Sequence, residues 1–227
     1  MASGYSVDIV IGLGVTFCGS ENMKRLLMFF ILAAILLPAG CGGSAIVPAE
    51  PTPTPTSTLK SYTQPPPMVI DTTKQYTATI ETEKGNLVLE LFAADVPVTV
   101  NNFVFLARDG FYDGSMFHRV IPGFVAQGGD RTGKGTLTPG YYIPNEITSH
   151  NHTSGALSMA NAGPDKNGCQ FFITYNDEPD LDGGYSVFGQ LIEGMDVLEQ
   201  LTPRDPLTYP LPDYDGDTII RITIEES

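Results

Sequence analysis

The stretch FHRVIPGFVAQGGD, residues 117–130, does most to decide the fold and the chemistry of this chain. It contains two short β-rich runs separated by a Pro-Gly pair, which is typical of a turn between strands. Alternation along the first run would place Phe117 and Arg119 on one face. Phe124 and Gln127, beyond the turn, would lie alongside. An arginine on an edge strand is also compatible with simple solvent exposure, so this stretch alone leaves the role of Arg119 open.

The flanking sequence predicts further strands and two helices. A hairpin is expected over residues 76–92, where two β-rich runs enclose a Lys-Gly-Asn turn. Pro97–Arg108 is predicted to be an amphipathic helix that starts at its proline and ends at Gly110. Its inner face would carry Val100, Phe103, Val104 and Ala107.

The second half of the chain continues the same pattern. Short strands are expected over residues 156–160, 170–174, 187–191 and 218–225, with a second short helix over 195–201. Many short strands with turn signals and two helices indicate a mainly β fold, a closed barrel with helices capping its ends.

Charge excludes some partners. The chain has 227 residues and a formal charge of −14, with 12 Lys and Arg against 26 Asp and Glu. Residues 1–76 are balanced, so the remainder carries the whole negative charge. Such a domain repels phosphate backbones, which argues against nucleic-acid binding. It also repels anionic lipid head groups, so membrane attachment would have to be covalent or hydrophobic.

The N-terminal region resembles a lipoprotein signal. Residues 23–40 combine a basic start, an apolar run of about a dozen residues and small residues before Cys41, which we expect to be lipidated. Pro38 departs from the usual aliphatic residue three positions before such a cysteine. A signal peptide cut elsewhere and an uncleaved anchor remain alternatives. Residues 1–22 contain acidic residues ill suited to export, and we expect them to be an upstream misread or disordered.

A linker is expected between this signal and the folded domain. Residues 41–75 are rich in Pro, Thr and Ser and include the run PTPTPT. This composition favours extended polyproline II and predicts a semi-rigid spacer. The folded domain is then expected to span residues 76–227.

A second cluster begins with LSMANAGP, residues 157–164. Ala160, Asn161 and Ala162 are small or polar and fall at the end of a predicted strand. Small side chains there leave the backbone open to an extended peptide. Asn161 is equally compatible with a plain turn residue.

The cluster continues with NGCQFFI, residues 167–173. Phe171 and Phe172 point to opposite faces of a strand, so one ring can enter the core and the other a pocket, although either ring could simply be core. A single cation at Arg119, beside an apolar wall and without a nucleophile, suits the handling of a proline-containing peptide bond. His150-x-His152 has metal-like spacing but no third ligand nearby, and favours a plain loop pair.

Four segments resemble the signatures of the cyclophilin-type peptidyl-prolyl cis-trans isomerases, in the order of that family. They are FHRVIPGFVAQGGD, LSMANAGP, NGCQFFIT and LDGGYSVFG, and the resemblance covers about residues 76–226. It implies an eight-stranded antiparallel β-barrel capped by two α-helices, with a proline pocket on its outer face. It also implies an isomerase that needs no cofactor or metal.

The resemblance assigns roles residue by residue. Arg119 matches the catalytic arginine and Gln127 would bind a substrate carbonyl. Phe124, Val125, Phe172 and Leu181 would line the proline pocket, and Ala160, Asn161 and Ala162 would hold the peptide before the proline. Two departures stand out: many family members have a tryptophan where this chain has Asp180, and often a histidine where it has Tyr185, whose ring and hydroxyl could still serve the pocket.

The combined expectation is an exported, monomeric folding helper tethered by Cys41 to the outer face of the cell membrane. Its partners would be proline-containing peptides and unfolded exported proteins. The departures at Asp180 and Tyr185 leave one alternative open, a non-catalytic proline-peptide-binding or chaperone module on the same fold.

Overall fold

The computed structural model describes residues 59–206 and 216–227. The predicted signal, residues 1–22 and Cys41 lie outside this part of the chain. Within it, nine strands and two α-helices form the domain. The strands are β1 (Tyr76–Thr82), β2 (Gly85–Leu91), β3 (Ser115–Phe117), β4 (Arg119–Ile121), β5 (Val125–Gly128), β6 (Ala156–Asn161), β7 (Asn167–Thr174), β8 (Val187–Glu193) and β9 (Asp217–Glu226). The helices are α1 (Pro97–Arg108) and α2 (Met195–Glu199).

The nine strands form a nearly closed antiparallel barrel. Their order is β3-β9-β1-β2-β8-β6-β7-β5-β4, so β3 and β4 occupy the two ends of the sheet. Only His118 separates these two strands in sequence. Residues 115–121 therefore close the barrel, because this one short run of chain supplies both edge strands. The prediction of a barrel with two helices is confirmed, and the ninth strand arises from the break at His118.

This break overturns one expectation about side-chain direction. Phe117 is fully buried in the core, and so is Val120, whereas Arg119 points to the outer surface. Phe117 and Arg119 therefore do not share a face. Regular alternation cannot hold across a residue where the chain leaves β9 and joins β5.

Aromatic side chains fill the barrel interior beneath α1. Phe103 of the helix lies 5.6 Å from Phe171 and 5.2 Å from Phe188 between ring centroids. The predicted inner face of the helix is confirmed, since all four of its named apolar residues are buried. Burial of several aromatic rings, each contributing large apolar area, stabilises the core that supports the outer wall.

Part of the predicted spacer packs against the barrel. Tyr62 lies with its ring 5.3 Å from Phe105, and its hydroxyl donates to Asp109 at 2.7 Å. The Asn101 side chain of α1 donates to the Pro67 carbonyl and accepts from the Val69 backbone N–H. Residues 62–69 of the predicted spacer therefore pack on the folded domain, because these contacts tie the proline-rich chain to α1 and to the residue that follows it, which composition cannot reveal.

No helix within residues 59–206 and 216–227 is long and apolar enough to cross a membrane. Cys169, the cysteine in this part of the chain, is a buried free thiol. Burial raises its pKa to about 12, so it stays protonated and behaves as an apolar core residue.

Candidate active site

Strand register aligns the candidate side chains in one row across the outer face of the barrel. Arg119 of β4 pairs with Gln127 of β5, and Gln127 pairs with Phe172 of β7. Phe172 in turn pairs with Ser158 of β6. Residues that pair directly across antiparallel strands project to the same face, so Arg119 and Gln127 of one hairpin become neighbours of Phe172, which is distant in sequence.

A cavity of about 140 Å³ opens over this row. Nine of the ten residues that the sequence proposed for the catalytic and substrate-binding site line it: Arg119, Phe124, Val125, Gln127, Ala160, Asn161, Phe172, Leu181 and Tyr185. The tenth, Ala162, lines a neighbouring cavity of about 340 Å³. Gln127, Ala160 and Asn161 border both cavities, so the two form one continuous surface.

Arg119 stands at one side of the smaller cavity. Its guanidinium carbon lies 5.8 Å from the centre of the Phe124 ring, within range of a cation–π contact. Its Nε lies 3.8 Å from an Asp205 carboxylate oxygen. That Nε is buried and makes no hydrogen bond to any described residue. The ion pair and the ring together hold the guanidinium beside the apolar wall.

His118, the residue before Arg119, is buried and carries no second charge into this site. Burial lowers its pKa, which outweighs the opposite influence of Asp130. The ring is therefore neutral at pH 7, and the positive charge at this edge of the cavity belongs to Arg119.

The amide of Gln127 is held by a neighbouring amide. Its Nε2 donates to Gln170 Oε1 at 3.0 Å, and Gln170 Nε2 donates to the Leu137 carbonyl at 3.1 Å. An amide nitrogen has two hydrogens, so Gln127 retains one to donate to a ligand carbonyl. Sequence reasoning did not single out Gln170, which is oriented by a loop that follows β5.

The opposite side of the cavity is a loop that contains one 3₁₀ turn, Pro179–Leu181. Residues 178–185, here called the loop wall, contribute Leu181 and Tyr185. The Tyr185 ring meets the Phe172 ring edge to face at 5.5 Å. Asn161 Nδ2 donates to the Gly184 carbonyl at 3.0 Å and so fastens this loop to the end of β6. Asn161 thus stabilises the loop wall, in addition to the peptide-binding role that the sequence suggested.

His152, which the sequence favoured as a plain loop residue, lies directly behind the cavity. Its side chain is 1 % exposed, and its ring stacks on Phe172 at 5.7 Å with an interplanar angle of 10°. No group of three or more His, Cys, Asp or Glu side chains among the described residues could hold a metal ion. His150, its partner in the metal-like spacing, instead stacks on Phe92. The spacing in sequence carried no signal that His152 would reach this site.

Comparisons with known proteins identify the family. Residues 77–223 match the family model described as "Cyclophilin type peptidyl-prolyl cis-trans isomerase/CLD". A peptidyl-prolyl cis-trans isomerase of Synechococcus elongatus is 56 % identical over 130 residues, which cover 56 % of this chain and 90 % of that protein. One from Helicobacter pylori is 52 % identical over 133 residues, covering 56 % of this chain and 81 % of that protein.

A comparison with solved structures indicates the same family. A cyclophilin type peptidyl-prolyl cis-trans isomerase of Cryptosporidium parvum, crystallised in the presence of the dipeptide Ala-Pro, matches with a TM-score of 0.60 and 39 % identity. The match covers 66 % of this chain and 98 % of that structure. This chain therefore belongs to the cyclophilin-type peptidyl-prolyl cis-trans isomerases, a class of enzymes, and the sequence-based assignments of family and enzyme class are confirmed.

Proposed function

We propose that this protein accelerates cis–trans rotation of X–Pro bonds in exported proteins and so assists their folding. The observation that carries the proposal is the single cavity in which Arg119 faces an apolar floor of Val125 and Phe172. A floor of that kind suits a proline ring. A cation at its edge suits the atom whose charge changes during rotation.

The mechanism follows from amide chemistry. Rotation about an X–Pro bond has a barrier of about 18–20 kcal/mol, since resonance between the nitrogen and the carbonyl must be broken. In the twisted transition state the proline nitrogen becomes pyramidal and gains a lone pair. The Arg119 guanidinium donates a hydrogen bond to that lone pair, which the planar ground state does not offer.

The required stabilisation matches this interaction. Uncatalysed exchange takes tens of seconds, so a turnover of about 10–1000 per second needs a barrier lowered by roughly 4–7 kcal/mol. One charge-assisted hydrogen bond in a partly desolvated pocket is of that order. The reaction makes and breaks no covalent bond, so it calls for no metal, nucleotide or nucleophile.

The remaining side chains hold the substrate. Phe124, Val125, Phe172 and Leu181 enclose the proline ring, while Gln127 donates to a substrate carbonyl. Ala160, Asn161 and Ala162 border the neighbouring cavity and receive the residues before the proline, and Tyr185 closes the opposite side. The ring is thereby fixed while the carbonyl side of the bond turns.

A protease-coupled assay on a proline-containing test peptide tests this function, comparing the wild type with Arg119→Ala. Activity in the wild type that falls at least about 100-fold in the variant supports the isomerase. A folded wild type that binds the peptide without accelerating its isomerisation would instead indicate a non-catalytic peptide-binding module.

We further propose that the domain acts as a monomer, tethered through lipidated Cys41 to the outer face of the cell membrane. Residues 23–40 and the small residues before Cys41 support the lipid tether. Labelling with radioactive palmitate tests it, using the full chain and Cys41→Ser. Label in the wild type and none in the variant is expected, whereas an unlabelled wild type contradicts the anchor.

A further inference from the structure

We infer that His152 is a positioning residue for the proline pocket: it locks the loop wall, residues 178–185, against the Phe172 floor and thereby sets the width of the pocket. This inference rests on the proposed isomerase function. It assigns a role to a histidine that lines neither cavity and that the catalytic mechanism does not use.

The first step is the connection between His152 and the loop wall. The His152 backbone N–H and ring Nδ1 both lie 2.8 Å from the same Asp182 carboxylate oxygen. The backbone carbonyl of His152 accepts from the Glu178 N–H at 2.7 Å. His152 therefore makes one hydrogen bond to the start of the turn that carries Leu181, at Glu178, and two to its end, at Asp182.

The second step is the connection between His152 and the barrel. Its Nε2 lies 3.1 Å from the Ser158 hydroxyl on β6, and Ser158 is fully buried. The Asp182 carboxylate can only accept, so Nδ1 carries the hydrogen of that contact, while Nε2 meets the Ser158 hydroxyl, which can both donate and accept. The imidazole thus bridges an exposed loop carboxylate and a buried strand hydroxyl in one fixed orientation.

The third step is the contact between His152 and the pocket floor. Its ring stacks on Phe172, while the Tyr185 ring stands edge-on to both, at 6.3 Å from His152 and 5.5 Å from Phe172. Three rings therefore set the gap between the floor and the loop wall. Because a buried side chain with both polar atoms bonded has one orientation, this gap has one width.

A change in pocket width acts on substrate binding more than on the chemical step. The pocket grips the proline ring equally in the planar and twisted states, so loosening it weakens both and raises KM with little change in kcat. Loss of the Arg119 donor, by contrast, lowers kcat. The split between KM and kcat therefore separates positioning by His152 from catalysis by Arg119.

The decisive variant is His152→Gln, measured beside His150→Gln. Glutamine can still reach Ser158 but has no donor where Nδ1 meets Asp182. We expect KM for a proline peptide to rise about tenfold with kcat within about threefold of the wild type. His150 is a matched control, since it also stacks on a ring, Phe92, and pairs with an aspartate, Asp95, yet lines no part of the site.

Two further variants separate this role from general stabilisation. His152→Asn restores a donor near the Nδ1 position and should recover part of the loss in KM. Asp182→Ala removes the same link from the exposed side, so it creates no cavity and should raise KM even if a His152 variant fails to fold. Adding His152→Gln to Asp182→Ala should change KM little further, because Asp182→Ala already breaks the Nδ1 contact together with the contact from the His152 backbone N–H.

Some outcomes overturn the inference. Folded His152→Gln or Asp182→Ala protein with a wild-type KM would do so, as would a KM rise of equal size in His150→Gln. If the wild type lacks isomerase activity, the proposed function fails by itself. The inference is then tested by the dissociation constant of the proline peptide, with NMR line shapes of the Phe172 and Tyr185 rings reporting whether the floor and loop wall have loosened.

Discussion

The two sides of the proline pocket are built in different ways. One side, the strand wall, consists of Arg119 on β4, Phe124 in the turn that follows, and Val125 and Gln127 on β5. All four belong to one stretch of sequence and are placed by hairpin register. The other side is the loop wall, which has no strand and depends on His152, Asn161 and Phe172 from elsewhere in the chain.

This difference separates chemistry from selectivity. The strand wall carries the donor to the reacting nitrogen, and its geometry is fixed by the hydrogen bonds that close the barrel. The loop wall carries several acidic residues, and it contains Asp180 and Tyr185, where this chain departs from many family members. Substitutions in the strand wall should therefore change the rate of rotation, and substitutions in the loop wall should change which substrates bind.

The largest effect is expected from Arg119→Lys. Lysine keeps the charge but lacks the planar fork of donors, so kcat should fall about 100- to 1000-fold with little change in stability. Isomerase kinetics and thermal unfolding measure the two quantities. Arg108→Lys on the outer side of α1 is the control and should retain full activity. Wild-type kcat in Arg119→Lys would remove Arg119 from the chemical step.

A tenfold effect is expected from the adjacent pair Phe172→Leu and Phe171→Leu. Phe172 is the pocket floor, so its loss should raise KM about tenfold. Phe171 is fully buried among Phe103, Tyr112 and Phe117, so its loss should lower the free energy of unfolding by about 1–2 kcal/mol and leave KM unchanged. Kinetics combined with chemical denaturation distinguish the two. If both substitutions changed KM equally, β7 would not place Phe172 in the pocket and Phe171 in the core.

A smaller effect is expected from Asp205→Asn. The Asp205 carboxylate lies 3.8 Å from the buried Nε of Arg119 and favours one orientation of the guanidinium. Without that charge kcat should fall about three- to fivefold, the size of a partly exposed ion pair. Asp109→Asn, which removes a carboxylate paired with Lys60 far from the pocket, should leave kcat unchanged. An increase in kcat on Asp205→Asn would show that the carboxylate restrains Arg119 instead of orienting it.

The smallest effect concerns substrate charge. Glu178, Asp180 and Asp182 make the loop wall acidic, and Asp177 directly precedes it. At low salt, peptides with Lys beside the proline should therefore have a kcat/KM about two- to threefold above that of peptides with Glu there. The difference should vanish at about 0.5 M salt, because salt screens exposed charges. Equal values at low salt would show that these acidic residues have no part in selection.

The sequence was sufficient for much of the fold and the strand wall. Pro97 and Gly110 mark the ends of α1, and the apolar spacing within it identifies its buried face, because both signals are local. Arg119 and Gln127 are separated by a tight turn, so pairing across that turn follows from the Pro-Gly break. Contacts over long separations were not predictable in this way. Tyr62 packs on Phe105, and Asp182 binds His152, without any local pattern that announces either contact.

Local sequence thus determined which residues can do the chemistry: a single arginine, an amide and aromatic rings on short strands. The tertiary structure decided how they meet. It broke the strand at His118 so that Phe117 turns inward and Arg119 outward, and it placed His152 behind Phe172. The physical reason is that side-chain direction and burial depend on which strands and loops pack together, and those partners lie tens of residues away along the chain.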